Sequence, residues 1–118
     1  MSQNIKELSK IILKFNDDRN WKKYHTPKDL VIGVSTEACE LLDHFRFKTD
    51  EDIQKIFEDP KKKELIAEEA ADVLWFLLLF VERNNIDIED ALFKKLKKNE
   101  LRFPIEKYNG YWEKPGRE

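Results

Sequence analysis

Two acid pairs at helical spacing, Glu37-x-x-Glu40 and Glu69-x-x-Asp72, carry the most chemistry in this chain, and 28 residues lie between them. Residues three apart share a helix face, so four carboxylates can converge on one point if the two segments are helices packed together. At ~100° per residue, Glu37 falls inside the apolar stripe of Leu30, Val34 and Leu41, and Glu40 falls at its edge. In the second segment Leu65, Glu69, Asp72 and Phe76 occupy one narrow sector, so the acids stand where core packing alone would place apolar residues. Charges there need compensation, because two carboxylates about 4 Å apart repel by about 4 kcal/mol at an effective dielectric near 20. A divalent cation removes that cost. With oxygen donors only and no cysteine pair, the expected ion is Mg²⁺, with Mn²⁺ as the alternative, ahead of Zn²⁺. The competing reading is a solvated helix face, since 39% of the chain is charged.

Helical periodicity supplies the elements that position these acids. Ile5, Leu8, Ile11, Ile12 and Phe15 predict a first helix over residues 4–19. Thr26-Pro27 is a start signal, with Thr as N-cap and Pro at the first helical position, for a second helix reaching residue 45. Thr49-x-x-Asp52 has the form of a capping box and opens a short helix through Phe57, which Asp59-Pro60 closes. A fourth helix is expected over residues 61–83, carrying the second acid pair. Asp87 caps a fifth that runs through Asn99, and Pro104 limits its extension. No strand-like alternation, repeat or low-complexity linker occurs. The fold class expected is an all-α bundle of four to five helices in one domain, residues 1–104, followed by an irregular tail, residues 105–118.

A chain of 118 residues can bury about two thirds of its unfolded surface around one core. The net charge of −2 gives no general attraction to nucleic acid polymers or anionic membranes, and the lysine runs at 61–63 and 94–98 read as solvated faces. The lone Cys39 excludes an intrachain disulfide, fits a reducing compartment and reads as helix packing. Residues 1–10 lack the apolar core of a secretion signal, so a cytoplasmic location is expected. The longest apolar run, Val73 to Val81, is too short for a membrane span, which needs about 20 residues. It is apolar around the whole circumference, however, and a small monomer struggles to cover every side of such a helix, so self-association is expected, with these residues in or near the interface.

The acid motif, together with two flanking elements, resembles the signature of the MazG-like nucleoside triphosphate pyrophosphohydrolases. Upstream, Arg19-Asn-Trp21-Lys-Lys-Tyr-His25-Thr-Pro27-Lys-Asp-Leu30 is similar to the segment preceding the acids in the dCTP pyrophosphatase branch. Downstream, Lys95-x-x-x-Asn99-x-x-Arg102-Phe103-Pro104 is similar to the family's Lys-x3-Asn-x2-Arg-Tyr-Pro element. The resemblance implies an all-α enzyme that assembles as a homodimer or homotetramer and uses Mg²⁺ to hydrolyse a nucleoside triphosphate, commonly a deoxynucleotide, to the monophosphate and pyrophosphate. It implies that Glu37, Glu40, Glu69 and Asp72 are metal ligands and catalytic residues. It further implies that Lys95, Asn99 and Arg102 contact phosphates, and that Trp21, His25 and Phe47 lie towards sugar and base. Phe47 stands where the dCTP-directed branch carries a tryptophan, so a ring for stacking remains but the indole N–H does not.

That chemistry suits the residue types. A triphosphate brings about four negative charges that carboxylates alone repel, and bound metal bridges the two. Glu40, at the stripe's edge, is the candidate general base. Lys95 and Arg102 can meet the charge that develops on the leaving pyrophosphate. His44, four residues after Glu40, reads as an exposed helix-end residue. Two other classes compete with this reading. A helical carboxylate bundle for iron or manganese usually needs Glu-x-x-His pairs, and neither His25 nor His44 lies three residues after a Glu. A non-catalytic helical adaptor would dock the apolar helix on a partner, but it leaves the acids within the apolar stripes unexplained.

Overall fold

The computed structural model describes residues 4–110, all of whose regular structure is helical. Six α-helices follow in order: α1 (Ile5–Asp18), α2 (Pro27–Asp43), α3 (Asp50–Glu58), α4 (Pro60–Arg83), α5 (Ile88–Arg102) and α6 (Ile105–Tyr108). A 3-10 turn, Lys22–Tyr24, lies between α1 and α2. No described helix is long and apolar enough to cross a membrane. The chain forms two compact units, one through Asn85 and the other from Ile86 onward.

Side-chain capping sets most helix starts. Asn4 and Glu7 form a capping box on α1, and Thr49 and Asp52 form another on α3. The Thr26 hydroxyl accepts from the Asp29 N–H at 3.1 Å, with Pro27 at the first helical position. Asp59 ends α3, as expected, and also caps α4, its side chain accepting from the N–H groups of Lys61 and Lys62. The fourth helix therefore begins at Pro60. Proline is tolerated there because the first helical N–H has no partner in any case. Asp87 caps α5 as expected, and that helix runs to Arg102.

The expectation of an irregular segment from residue 105 needs correction, because Ile105–Tyr108 is a single helical turn. Pro104 stops α5, but its φ of −60° also suits the residue before a new turn, and Phe103 packs edge-on to Tyr108 with ring centroids 5.0 Å apart. Residues beyond Gly110, including the aromatic stretch Tyr111-Trp112, lie outside the described residues.

Within the first unit α4 is central. It packs along α2 most extensively and also against α1 and α3. The buried apolar residues are Leu30, Ile56, Ile66, Leu78, Leu79 and Val81. Leu65, assigned by periodicity to the acid-bearing stripe, is half exposed, and its neighbour Ile66 is buried instead. The two adjacent apolar residues compete for one core position, and the packing of α4 on its neighbours decides between them. Cys39, read from sequence as helix packing, is exposed.

At Gly33 the α2 backbone lies directly against the Phe76 ring of α4. A Cβ placed there would lie 2.5 Å from the Phe76 ring, so only glycine allows that ring to seat against the α2 backbone. Gly33 is one turn before Glu37 and Phe76 is one turn after Asp72, so this contact sets the spacing between the two acid pairs.

Candidate functional site

Glu37, Glu40 and Glu69 converge between α2 and α4, each offering a carboxylate oxygen within 4.8 Å of the others. Glu37 and Glu69 are half-buried and Glu40 is exposed. Glu37 Oε2 and Glu69 Oε2 are both shielded from solvent and have no hydrogen-bond partner. Burial first, then the adjacent Glu40, and then Asp72 and Glu69, together push the Glu37 carboxyl up to about 7. Asp72 thus acts on Glu37 through its charge, although its own carboxylate is exposed and stands outside the group of three.

Unpartnered, shielded carboxylate oxygens and a carboxyl forced towards its protonated form are what a cation would relieve. The donor set is oxygen throughout, which suits a hard divalent ion. These residues fit such a group. His44, expected to be exposed, is half-buried instead, with Nε2 3.8 Å from Glu69 Oε1. It caps α2 and lines a cleft of about 340 Å³ with Asp43, Lys48, Ile56, Lys62 and Leu65.

The three residues expected near sugar and base occupy different settings. Trp21 is partly exposed and packs edge-on against Phe15 at 6.1 Å, and Phe15 in turn meets Trp75 of α4 at 5.3 Å. Phe47 is 94% exposed and has φ of +62°, a left-handed conformation that is costly for a bulky side chain. The Arg46 guanidinium sits 4.8 Å from its ring centroid. His25 lines a second cleft, of about 570 Å³, with Lys22, Lys23, Thr26, Pro27, Arg83 and Asn84.

Lys95, Asn99 and Arg102 belong to α5 in the second unit, where spacings of four and three place them on one helix face. Lys95 is exposed, while Asn99 and Arg102 are half-buried.

Arg83 was not among the residues singled out from sequence. Its side chain is only 9% exposed, pairs with Asp17 Oδ1 at 2.8 Å and lies 3.2 Å from His25 Nδ1. A signal for it was present, since Arg83 is eleven residues after Asp72, which returns it to nearly the same face of α4.

The chain is 27% identical to mouse dCTP pyrophosphatase 1 over 101 residues, covering 86% of this chain and 59% of the relative. It is likewise 27% identical to the human dCTP pyrophosphatase 1 over 100 residues, covering 85% and 59%. The chain therefore spans less than two thirds of the length of these curated relatives. A solved pyrophosphatase structure from Archaeoglobus fulgidus superposes with a TM-score of 0.78 at 35% identity, covering 88% of this chain and 95% of that one. The family model described as MazG-like matches residues 32–116, which include both acid pairs and the Lys95, Asn99 and Arg102 element, and this chain belongs to the MazG-like family.

Proposed function

We propose that the chain hydrolyses a nucleoside triphosphate, of the deoxynucleotide class, to the monophosphate and pyrophosphate with Mg²⁺ bound at the acid cluster. The observation that carries this reading is the convergence of Glu37, Glu40 and Glu69 with two shielded oxygens left without partners. The dCTP pyrophosphatase relatives and the archaeal pyrophosphatase support it. Glu37, Glu40, Glu69 and Asp72 would hold the ion. Bound Mg²⁺ would polarise the α-phosphate, lower the pKa of a water and screen the leaving pyrophosphate.

The chain's own residues supply the rest. Glu40 is the most accessible acid of the converging three and accepts the proton of the attacking water. Lys95, Asn99 and Arg102 bind phosphate oxygens, with Arg102 suited to a two-point grip. Phe47, held outward at a backbone conformation its side chain disfavours, offers a ring face for stacking on the base. His25 and Trp21 border the sugar and base.

Assembly as a homodimer or homotetramer belongs to the same reading. Within the run 73–81 the chain's own packing buries Leu78, Leu79 and Val81, whereas Leu74 is about half exposed, as are Val31 and Ile32 of α2 and Leu42 at its end, and these are apolar residues that a second copy of the chain would cover. The biological role that fits is removal of surplus or non-standard deoxynucleotides.

The test is pyrophosphate release from a panel of standard and modified nucleoside triphosphates, in Mg²⁺ and in excess chelator. Chelator-sensitive release with the monophosphate as co-product is expected. No release from any of them would overturn the proposal.

A further inference from the structure

Asp17 on α1, His25 in the α1–α2 connection and Arg83 at the end of α4 form a linked set whose members are 58 or 66 residues apart along the chain, except for Asp17 and His25. Arginine has five N–H donors and no acceptor, and it does not lose its proton. The 3.2 Å approach of Arg83 Nη2 to His25 Nδ1 therefore requires a lone pair on Nδ1. The ring is then neutral, and its one proton is on Nε2. Asp17 Oδ1 accepts from the same Nη2 at 2.8 Å, which holds the guanidinium in place and balances its charge. Burial and the Arg83 charge both lower the basicity of His25, against a smaller opposing effect from Asp17, in accord with a neutral ring.

Arg83 is too deeply buried to be a simple surface cation, and its Nε is shielded and without a hydrogen-bond partner. A desolvated donor left unpaired is costly. The bonds made by Nη2 to Asp17 and His25 are thus what the buried guanidinium contributes in return.

We propose that Arg83 is a positioning residue. Anchored by Asp17, it holds His25 as the neutral Nε2–H tautomer, so that this connection presents a hydrogen-bond donor, not a cation or an acceptor, to an oxygen atom of the nucleotide. The nucleotide half of this statement rests on the function proposed above; the tautomer half does not. The bond also ties the His25 loop to α4, the helix that carries Glu69 and Asp72, so one element positions both the acids and the donor.

The experiment is imidazole ¹⁵N NMR on the histidine-labelled chain at neutral pH, with the two histidines assigned by a His44→Asn variant. It is repeated on Arg83→Met, Arg83→Lys and Asp17→Asn, with KM and kcat measured for each. In the native chain His25 is expected to show protonation at Nε2 alone. In Arg83→Met the ring is expected to become a mixture of tautomers, while KM rises about tenfold, the worth of one lost hydrogen bond, and kcat falls far less. Arg83→Lys, which keeps a donor and a charge, is expected to recover part of the tautomer signature and of KM. An Nδ1–H or cationic His25 in the native chain overturns the proposal. So does an unchanged ring in Arg83→Met, or a fall in kcat with KM unmoved. If Arg83→Met does not fold, the native spectrum and the milder Asp17→Asn variant still decide. If the chain turns over no triphosphate, the function proposed above fails while the tautomer stands or falls by its own spectrum.

Discussion

Replacing Glu37 by Gln separates a metal site from an incidental acid cluster, because it affects stability and metal binding in opposite directions. The Glu37 carboxyl is raised from 4.5 to about 7 by burial and by the carboxylates of Glu40, Asp72 and Glu69. Between those two values the folded chain holds a proton that the unfolded chain has released. The metal-free protein therefore loses stability as pH rises from the ordinary carboxylate range through about 7, and the loss is complete above it. A shift of 2.5 units (7 − 4.5) corresponds to about 3 kcal/mol at 1.36 kcal/mol per unit, an upper bound. Solvent at the half-buried carboxyl and the mutual titration of its neighbours reduce this to about 1–2 kcal/mol.

Glutamine keeps the volume, carries no charge and offers an amide donor to Glu40 or Glu69. In chelator above pH 7, Glu37→Gln should thus be more stable than the native chain by about 1–2 kcal/mol, or roughly 5–10 °C in Tm. Near pH 5, where Glu37 is already protonated, the two should melt together. With Mg²⁺ added the order reverses, since the native chain gains about 2.7 kcal/mol at a hundred times its dissociation constant and the variant gains little. Turnover should be abolished. The assay is thermal melting at both pH values with and without Mg²⁺. A variant no more stable than the native chain in chelator at high pH, or one still stabilised by Mg²⁺, would refute the reasoning.

Asp72→Asn should abolish turnover while leaving the assembly intact by size-exclusion chromatography, and full retained activity would remove Asp72 from the site. Gly33→Ala should lower Tm even though alanine favours helix by about 1 kcal/mol, because the new methyl meets the Phe76 ring and overpacking costs about 1–3 kcal/mol. The same variant should weaken Mg²⁺ binding, measured by titration calorimetry, by moving α2 away from α4. Phe47→Gly should leave Tm unchanged or higher, since glycine accepts the positive φ without the ~1–2 kcal/mol cost borne by other residues, yet should raise KM by removing the stacking face. A lower Tm with unchanged KM would assign Phe47 to folding.

Much of the secondary structure was legible along the chain because its causes are local. The Thr26-Pro27 start, the Thr49 and Asp52 capping box and the Asp87 cap each act within one turn, and each is seen where the residue pattern put it. The acid pairs were legible for a related reason. A charge within an apolar stripe conflicts with its surroundings, and three of the four acids do converge. Local reasoning failed where two adjacent residues compete for one environment. Leu65 and Ile66 are equally apolar, and only the packing of α4 on its neighbours buries the second. It failed again at Pro104, where a helix stop also proved to be a helix start.

The residue types, their helical spacing and the family were thus determined by sequence alone, since periodicity, capping and motif order need no knowledge of distant contacts. Tertiary structure decided what depends on residues far apart in the chain. It seats Phe76 on Gly33, turns a charged stripe into a cluster with unpartnered oxygens, and brings Arg83 back to Asp17 and His25. Each of these is a contact between separate segments of the chain whose energy depends on distance and burial, and neither quantity exists until the helices pack.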